Sequence, residues 1–121
     1  GLRDGMTDRL IAPDGRDKSI VAGRECGNGV VIDHGDGWET QYCHLKRGSI
    51  LVGKGDRVER GSVLGDVGYS GAASFAHLHL SVRHKGAVID PFLGKTVSKE
   101  MSCPTDGISA KNFFSFLPRF I

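Results

Sequence analysis

Glycine punctuates this chain at short intervals, and that spacing constrains its fold more than any other feature. Eighteen of its 121 residues are glycine, about twice the usual share, and most of them separate apolar runs too short for helices. Glycine reaches the backbone conformations that tight turns demand at no steric cost. The pattern therefore predicts an all-β chain of short strands joined by Gly-rich turns. The length allows one domain with a modest core.

The clearest local signal is Gly29 to Asp33, a turn through His34-Gly35-Asp36-Gly37, and Trp38 to Leu45. Asp-Gly between two strand-like runs predicts a β-hairpin. A turn centred on Gly35-Asp36 sets Asp33 opposite Trp38 and places Trp38, Thr40, Tyr42 and His44 on one face. His34 falls in the turn, where solvent exposure is expected, and receives no role. Cys26 and Cys43 become diagonal neighbours on the other face, so a disulfide and a pair of buried free thiols both account for them. With Cys103 they number three, at spacings that match no zinc motif.

Residues 1–28 read as mostly loop, ending in a short strand at Ile20-Val21-Ala22, and residues 46–69 read as a meander of short strands turning at each glycine. Phe75 to Arg83 reads as a strand. At a two-residue period, His77, His79, Ser81 and Arg83 share one face, and Leu78, Leu80 and Val82 turn to the core. Two imidazoles at i and i+2 stand side by side, able to share a metal ion or to divide ligand and acid/base roles. The domain is expected to span residues 1–92, with 93–121 as a C-terminal extension whose apolar end, Asn112 to Ile121, packs back on it. A formal charge of +2 with scattered Lys and Arg gives no reason to expect nucleic acid or anionic lipid as a partner. No apolar run is long enough to span a membrane. The opening at Gly1 in polar sequence reads as a mature product or a fragment.

Several of these segments occur in a characteristic order: Gly27 to Gly35, Thr40-Gln41-Tyr42-Cys43-His44-Leu45, the spaced glycines from Gly53 to Gly68, His77-Leu78-His79, and Asp90-Pro91-Phe92. Together they resemble the lysostaphin-type (LytM-like) zinc metalloendopeptidases, over roughly residues 20 to 92. The resemblance implies an antiparallel β-sheet of the barrel-sandwich hybrid kind with its N-terminal strands missing. It also implies a catalytic zinc ion, peptidoglycan peptides as substrate and an extracytoplasmic location. In this family the zinc is held by the His and Asp of a His-x-x-x-Asp motif and by the second His of the His-x-His strand. Carried over, His79 is the metal ligand, while His77 and His44 flank the bound water and the scissile carbonyl as acid/base and transition-state-stabilising groups. Zinc lowers the pKa of its water to about 7, and imidazoles titrate where that proton must move.

The departures matter as much as the match. No histidine here is followed at the fourth position by aspartate: His34 reaches Trp38, His44 reaches Gly48, His77 reaches Ser81. A catalytic zinc site normally has three protein ligands, so this chain alone is expected to bind zinc weakly or not at all and to cleave nothing. The favoured account is the C-terminal part of an ordinary enzyme. A degenerate module that binds peptidoglycan or regulates a cell-wall hydrolase, and a site completed by a second chain, are the alternatives. Missing leading strands would leave an open sheet edge and predict self-association. Ala76, Leu80 and Ser81 stand where the family usually has Pro, Phe and Glu. A biotin- or lipoate-carrier reading fails because neither Lys54 nor Lys85 has the hairpin-tip setting it needs. A sugar-transport phosphocarrier also uses two histidines, but does not explain His77 and His79 together with Tyr42-x-His44.

Overall fold

The structure is a computed structural model and describes residues 1–96. Its regular elements are β1 (Leu2–Arg3), a single 3-10 turn (Lys18–Val21), β2 (Asn28–Gly35), β3 (Trp38–Leu45), β4 (His79–His84) and β5 (Ala87–Ile89). The strands form one antiparallel sheet in the order β1-β2-β3-β4-β5. The all-β expectation holds.

Two turns explain how the longer strands are joined. Between β2 and β3, Asp36 and Gly37 have φ of 51° and 79°, the paired left-handed conformation of a two-residue hairpin turn that right-twisted strands favour. The turn is centred one residue later than Gly35-Asp36. His34 therefore lies in β2 rather than in the turn, and it is half-buried with Nε2 2.7 Å from Thr40 Oγ1. Between β4 and β5, Lys85 and Gly86 repeat the device with φ of 49° and 82°. This sets Val82 opposite Ile89, Arg83 opposite Val88 and His84 opposite Ala87.

The chain divides into two compact units. One comprises Gly1–Ile32 with Gln41–Leu80, and the other comprises Asp33–Thr40 with the described residues from Ser81. The first buries Ile11, Val21, Val30, Cys43, Leu45 and Ala73, and in it Cys26 and Cys43 are joined as a disulfide. In the second, Val82 and Ile89 are buried, and Trp38 stacks on His84 with ring centroids 4.2 Å apart.

Three local expectations are corrected. Ile20-Val21-Ala22 is not a strand; Ile20 and Val21 belong to the 3-10 turn, with Ile20 N–H donating to Asp17 O. Residues 46–69 form no named strand; their pairing is piecemeal, with a bridge between Leu45 and Val67 and bonds from Lys46 N–H to Asp66 O and from Leu51 N–H to Leu64 O. Gly48, Gly55 and Gly61 all turn at positive φ, and Leu51 and Val63 are exposed, so no buried face extends a ladder. The histidine strand begins at His79, not at Phe75. Upstream, the backbone is bent, with His77 N–H bonded to Gly68 O, and Leu78 is 46% exposed while Val82 is 4% exposed. The expected packing of Asn112 to Ile121 lies outside the described residues.

Candidate active site

The site grows from the end of β3. His44 has φ of 64°, a left-handed conformation that costs a non-glycine residue about 1–3 kcal/mol and survives only where its surroundings over-determine it. Those surroundings are visible. The His44 N–H donates to Cys26 O at 2.8 Å, and its carbonyl accepts from Gly68 N–H at 2.9 Å. Its ring Nδ1 lies 2.7 Å from the Ser70 carbonyl oxygen. A carbonyl only accepts, so Nδ1 carries the proton, and in the neutral ring Nε2 keeps the lone pair.

Ser70 is itself held. Fully buried, it donates its hydroxyl to Leu45 O at 2.7 Å and accepts Asn28 N–H at 2.9 Å. Asn28 is also fully buried; its side-chain amide donates to Met6 O and Leu45 O, and its side-chain carbonyl accepts Met6 N–H. Among the described residues no buried side-chain polar atom is left without a partner, so the shell around His44 has fixed hydrogen-bond directions. Gly27 and Gly71, both at positive φ, bring two backbone segments into direct contact here. A Cβ on Gly27 would fall on the Ser70 carbonyl group, and one on Gly71 would fall on Glu25 O and Gly27 N.

His77 and His79 complete the cluster. His77 Nδ1 donates to Phe75 O at 2.8 Å, which by the same reasoning leaves its Nε2 as acceptor. Its ring centroid is 4.7 Å from that of His44, and the His79 ring meets His44 edge-on at 5.8 Å. His44 is buried, His77 half-buried and His79 exposed. The three residues singled out from sequence thus gather within one unit. Burial is the main cause holding the His44 pKa below the usual imidazole value; the Ser70 carbonyl opposes it, and neighbouring charge on His77 and His79 adds to it. With Nδ1–H committed to Ser70 O, a neutral His44 keeps its Nε2 lone pair to accept a proton.

The same residues do not fit a complete zinc centre. No group of three His, Cys, Asp or Glu among the described residues is disposed to hold a metal ion. Ser70 and Asn28 escape a search for chemistry-bearing residues. Their only sequence signal is a polar side chain set against glycine: Gly71 after Ser70, and Gly27 before Asn28.

Comparison with known proteins places this geometry in a context. Peptidase family M23 matches residues 14–91. The chain is 37% identical over 82 residues to the peptidoglycan DD-endopeptidase ShyA of Vibrio cholerae, covering 63% of this chain and 19% of that protein. It is 40% identical over 65 residues to the DD-carboxypeptidase/endopeptidase Mpg of Neisseria meningitidis, covering 54% and 14%. To the cell division protein DipM of Caulobacter vibrioides it is 36% identical over 64 residues, covering 53% and 10%. The chain therefore spans at most 19% of the length of these curated relatives. Among solved structures it is similar to a point mutant of the catalytic domain of EnpA, a prophage-encoded M23 protein of Enterococcus faecalis. That pair has 28% identity, 71% and 55% coverage, and a TM-score of 0.46. The 121-residue chain belongs to peptidase family M23.

Proposed function

We propose that this chain is part of a zinc-dependent peptidoglycan endopeptidase domain, the part that carries the acid/base histidines and one metal ligand. The observation that carries the reading is the cluster itself. His77 and His79 lie against His44 at 4.7 and 5.8 Å between ring centroids, and both His44 and His77 donate Nδ1–H to a main-chain carbonyl. Two adjacent imidazoles, each with Nδ1–H committed to a main-chain carbonyl, suit peptide hydrolysis. His44 takes a proton from the attacking water at Nε2 and returns it to the leaving amine, while His77, once it carries a proton on Nε2 as well as on Nδ1, donates that N–H to the developing oxyanion. His79, exposed at the start of β4, is the residue this chain offers to a metal ion. The described residues furnish no group of three ligands. The Cys26–Cys43 disulfide suits the oxidising surroundings in which peptidoglycan lies and supports an extracytoplasmic location. Among the described residues no helix is long and apolar enough to cross a membrane.

The absence of a three-ligand group among the described residues favours one second reading, a non-catalytic module that binds peptidoglycan or regulates a cell-wall hydrolase. Cleavage of cross-linked muropeptides by the protein in its full genetic context, with zinc, separates the two. On the enzyme reading, His44→Ala and His77→Ala each lower kcat by about 10²–10⁴-fold and His79→Ala removes zinc dependence. Binding without any cleavage selects the second reading. The 121 residues alone are expected to hold no stoichiometric zinc by calorimetry; micromolar or tighter binding that vanishes in His79→Ala would reveal a ligand set other than the one argued here.

A further inference from the structure

We infer that the Cys26–Cys43 disulfide is a positioning brace for His44, fixing its imidazole in the Nδ1–H tautomer that leaves Nε2 free. This rests on the reading of His44 as an acid/base residue. Cys43 immediately precedes His44, and the bond joins two Cα atoms 4.8 Å apart across 17 residues of sequence. The residues around Cys26 then reach His44 by two routes. Directly, Cys26 O accepts the His44 N–H at 2.8 Å. Indirectly, Glu25 O accepts Ala72 N–H at 2.7 Å, and the Gly27 and Gly71 backbones touch. The segment that carries Ser70 is thereby held where its carbonyl receives the ring Nδ1–H at 2.7 Å.

Apolar packing does little to hold this loop. Residues 22–25 are exposed and Cys26 is only half-buried, whereas Cys43 is 5% exposed. Apolar burial therefore does not fix residues 22–26; the covalent link to a core cysteine does, together with backbone bonds such as Arg24 N–H to Val21 O and Gly27 N–H to Arg24 O. His44, at φ of 64°, is the residue with conformational energy to release if that link opens, and its relaxation would swing the ring away from Ser70 O. Reduction by a dithiol breaks the S–S bond and forms one S–H on each cysteine. Two electrons and two protons pass to the protein, and the dithiol becomes its own disulfide.

The test is long-range proton–nitrogen NMR on the 121-residue chain labelled at histidine, held above the imidazole titration range. Oxidised protein is expected to show His44 as a single Nδ1–H tautomer with a slowly exchanging ring proton. Adding dithiothreitol, or substituting Cys26→Ala with Cys43→Ala, is expected to give a mixture of tautomers and ring-proton exchange at least about tenfold faster. The His34 signals and the amides of β4 and β5 should hold their positions, and reoxidation should restore the starting spectrum. An unchanged His44 tautomer after reduction overturns the brace. So does collapse of dispersion throughout the spectrum, because the bond would then be a general staple. Neither result depends on cleavage: a protein that never cuts peptidoglycan can still pass this test, and an active one can fail it.

Discussion

His44 combines three features seldom found in one residue: a left-handed backbone, near-complete burial, and a ring proton committed to a main-chain carbonyl. Burial makes its charged form costly, and the same holds for His34, whose pKa is lowered chiefly by desolvation while the Asp33 carboxylate opposes the shift. The consequence for stability has a definite sign. The unfolded chain binds protons on these imidazoles from about pH 6.5 downward, and the folded chain binds them only at lower pH. Their stabilising contribution is therefore complete above that value and is lost as pH falls through the folded pKa values. Urea midpoints are expected to fall from pH 8 to pH 5, and His34→Gln should flatten part of the slope. Level midpoints across that range would remove the argument. Both histidines were visible in sequence, but His34 read as an exposed turn residue, because its environment depends on a turn placed one residue later and on Thr40.

The element that departs most from expectation is the histidine strand. Strict alternation from Phe75 to Arg83 describes β4 well from His79 onward, where Val82 turns into the core opposite Ile89. It fails upstream, where His77 is held by Phe75 O and Gly68 O in a bent segment. This difference can be measured. Val82→Ala should cost about 2 kcal/mol through lost burial and the cavity left behind, whereas Leu78→Ala, at a half-exposed position, should cost under about 1 kcal/mol. Equal losses in denaturant unfolding would restore a single strand through both positions. The β2–β3 hairpin shows the opposite case. Asp-Gly announced a hairpin from local chemistry alone, although the turn falls on Asp36-Gly37, one residue later than the Gly35-Asp36 centre expected from sequence. Residues 46–69 were not legible in this way. Their glycine spacing was read as strands, yet spacing says only where a chain turns, and without a buried face the pieces between turns do not join a ladder.

At the scale of the molecule, the sheet ends on β1, two residues long, and on β5, three residues long. β1 pairs with β2 through Leu2 opposite Val30 and Arg3 opposite Gly29, and its outer side is an edge that another chain can extend. Self-association through that edge is expected to raise the sedimentation coefficient with concentration, and Leu2→Pro, which removes the outward-facing backbone donor next to the Gly1–Val31 hydrogen-bonded pair, should abolish the rise. A coefficient that is flat with concentration would dismiss the edge as an association surface. The sequence by itself determined that the chain is all-β, that it carries the His44, His77 and His79 set, and that it has no His-x-x-x-Asp motif, because turn chemistry, residue identity and spacing are local properties. Tertiary structure decided what surrounds those histidines. It closed the Cys26–Cys43 bond that sequence left open and delivered Ser70 and Asn28 from distant positions to fix the ring of His44. A hydrogen-bond direction and a backbone held against its own preference exist only once remote segments have met, and no residue pattern along the chain encodes them singly.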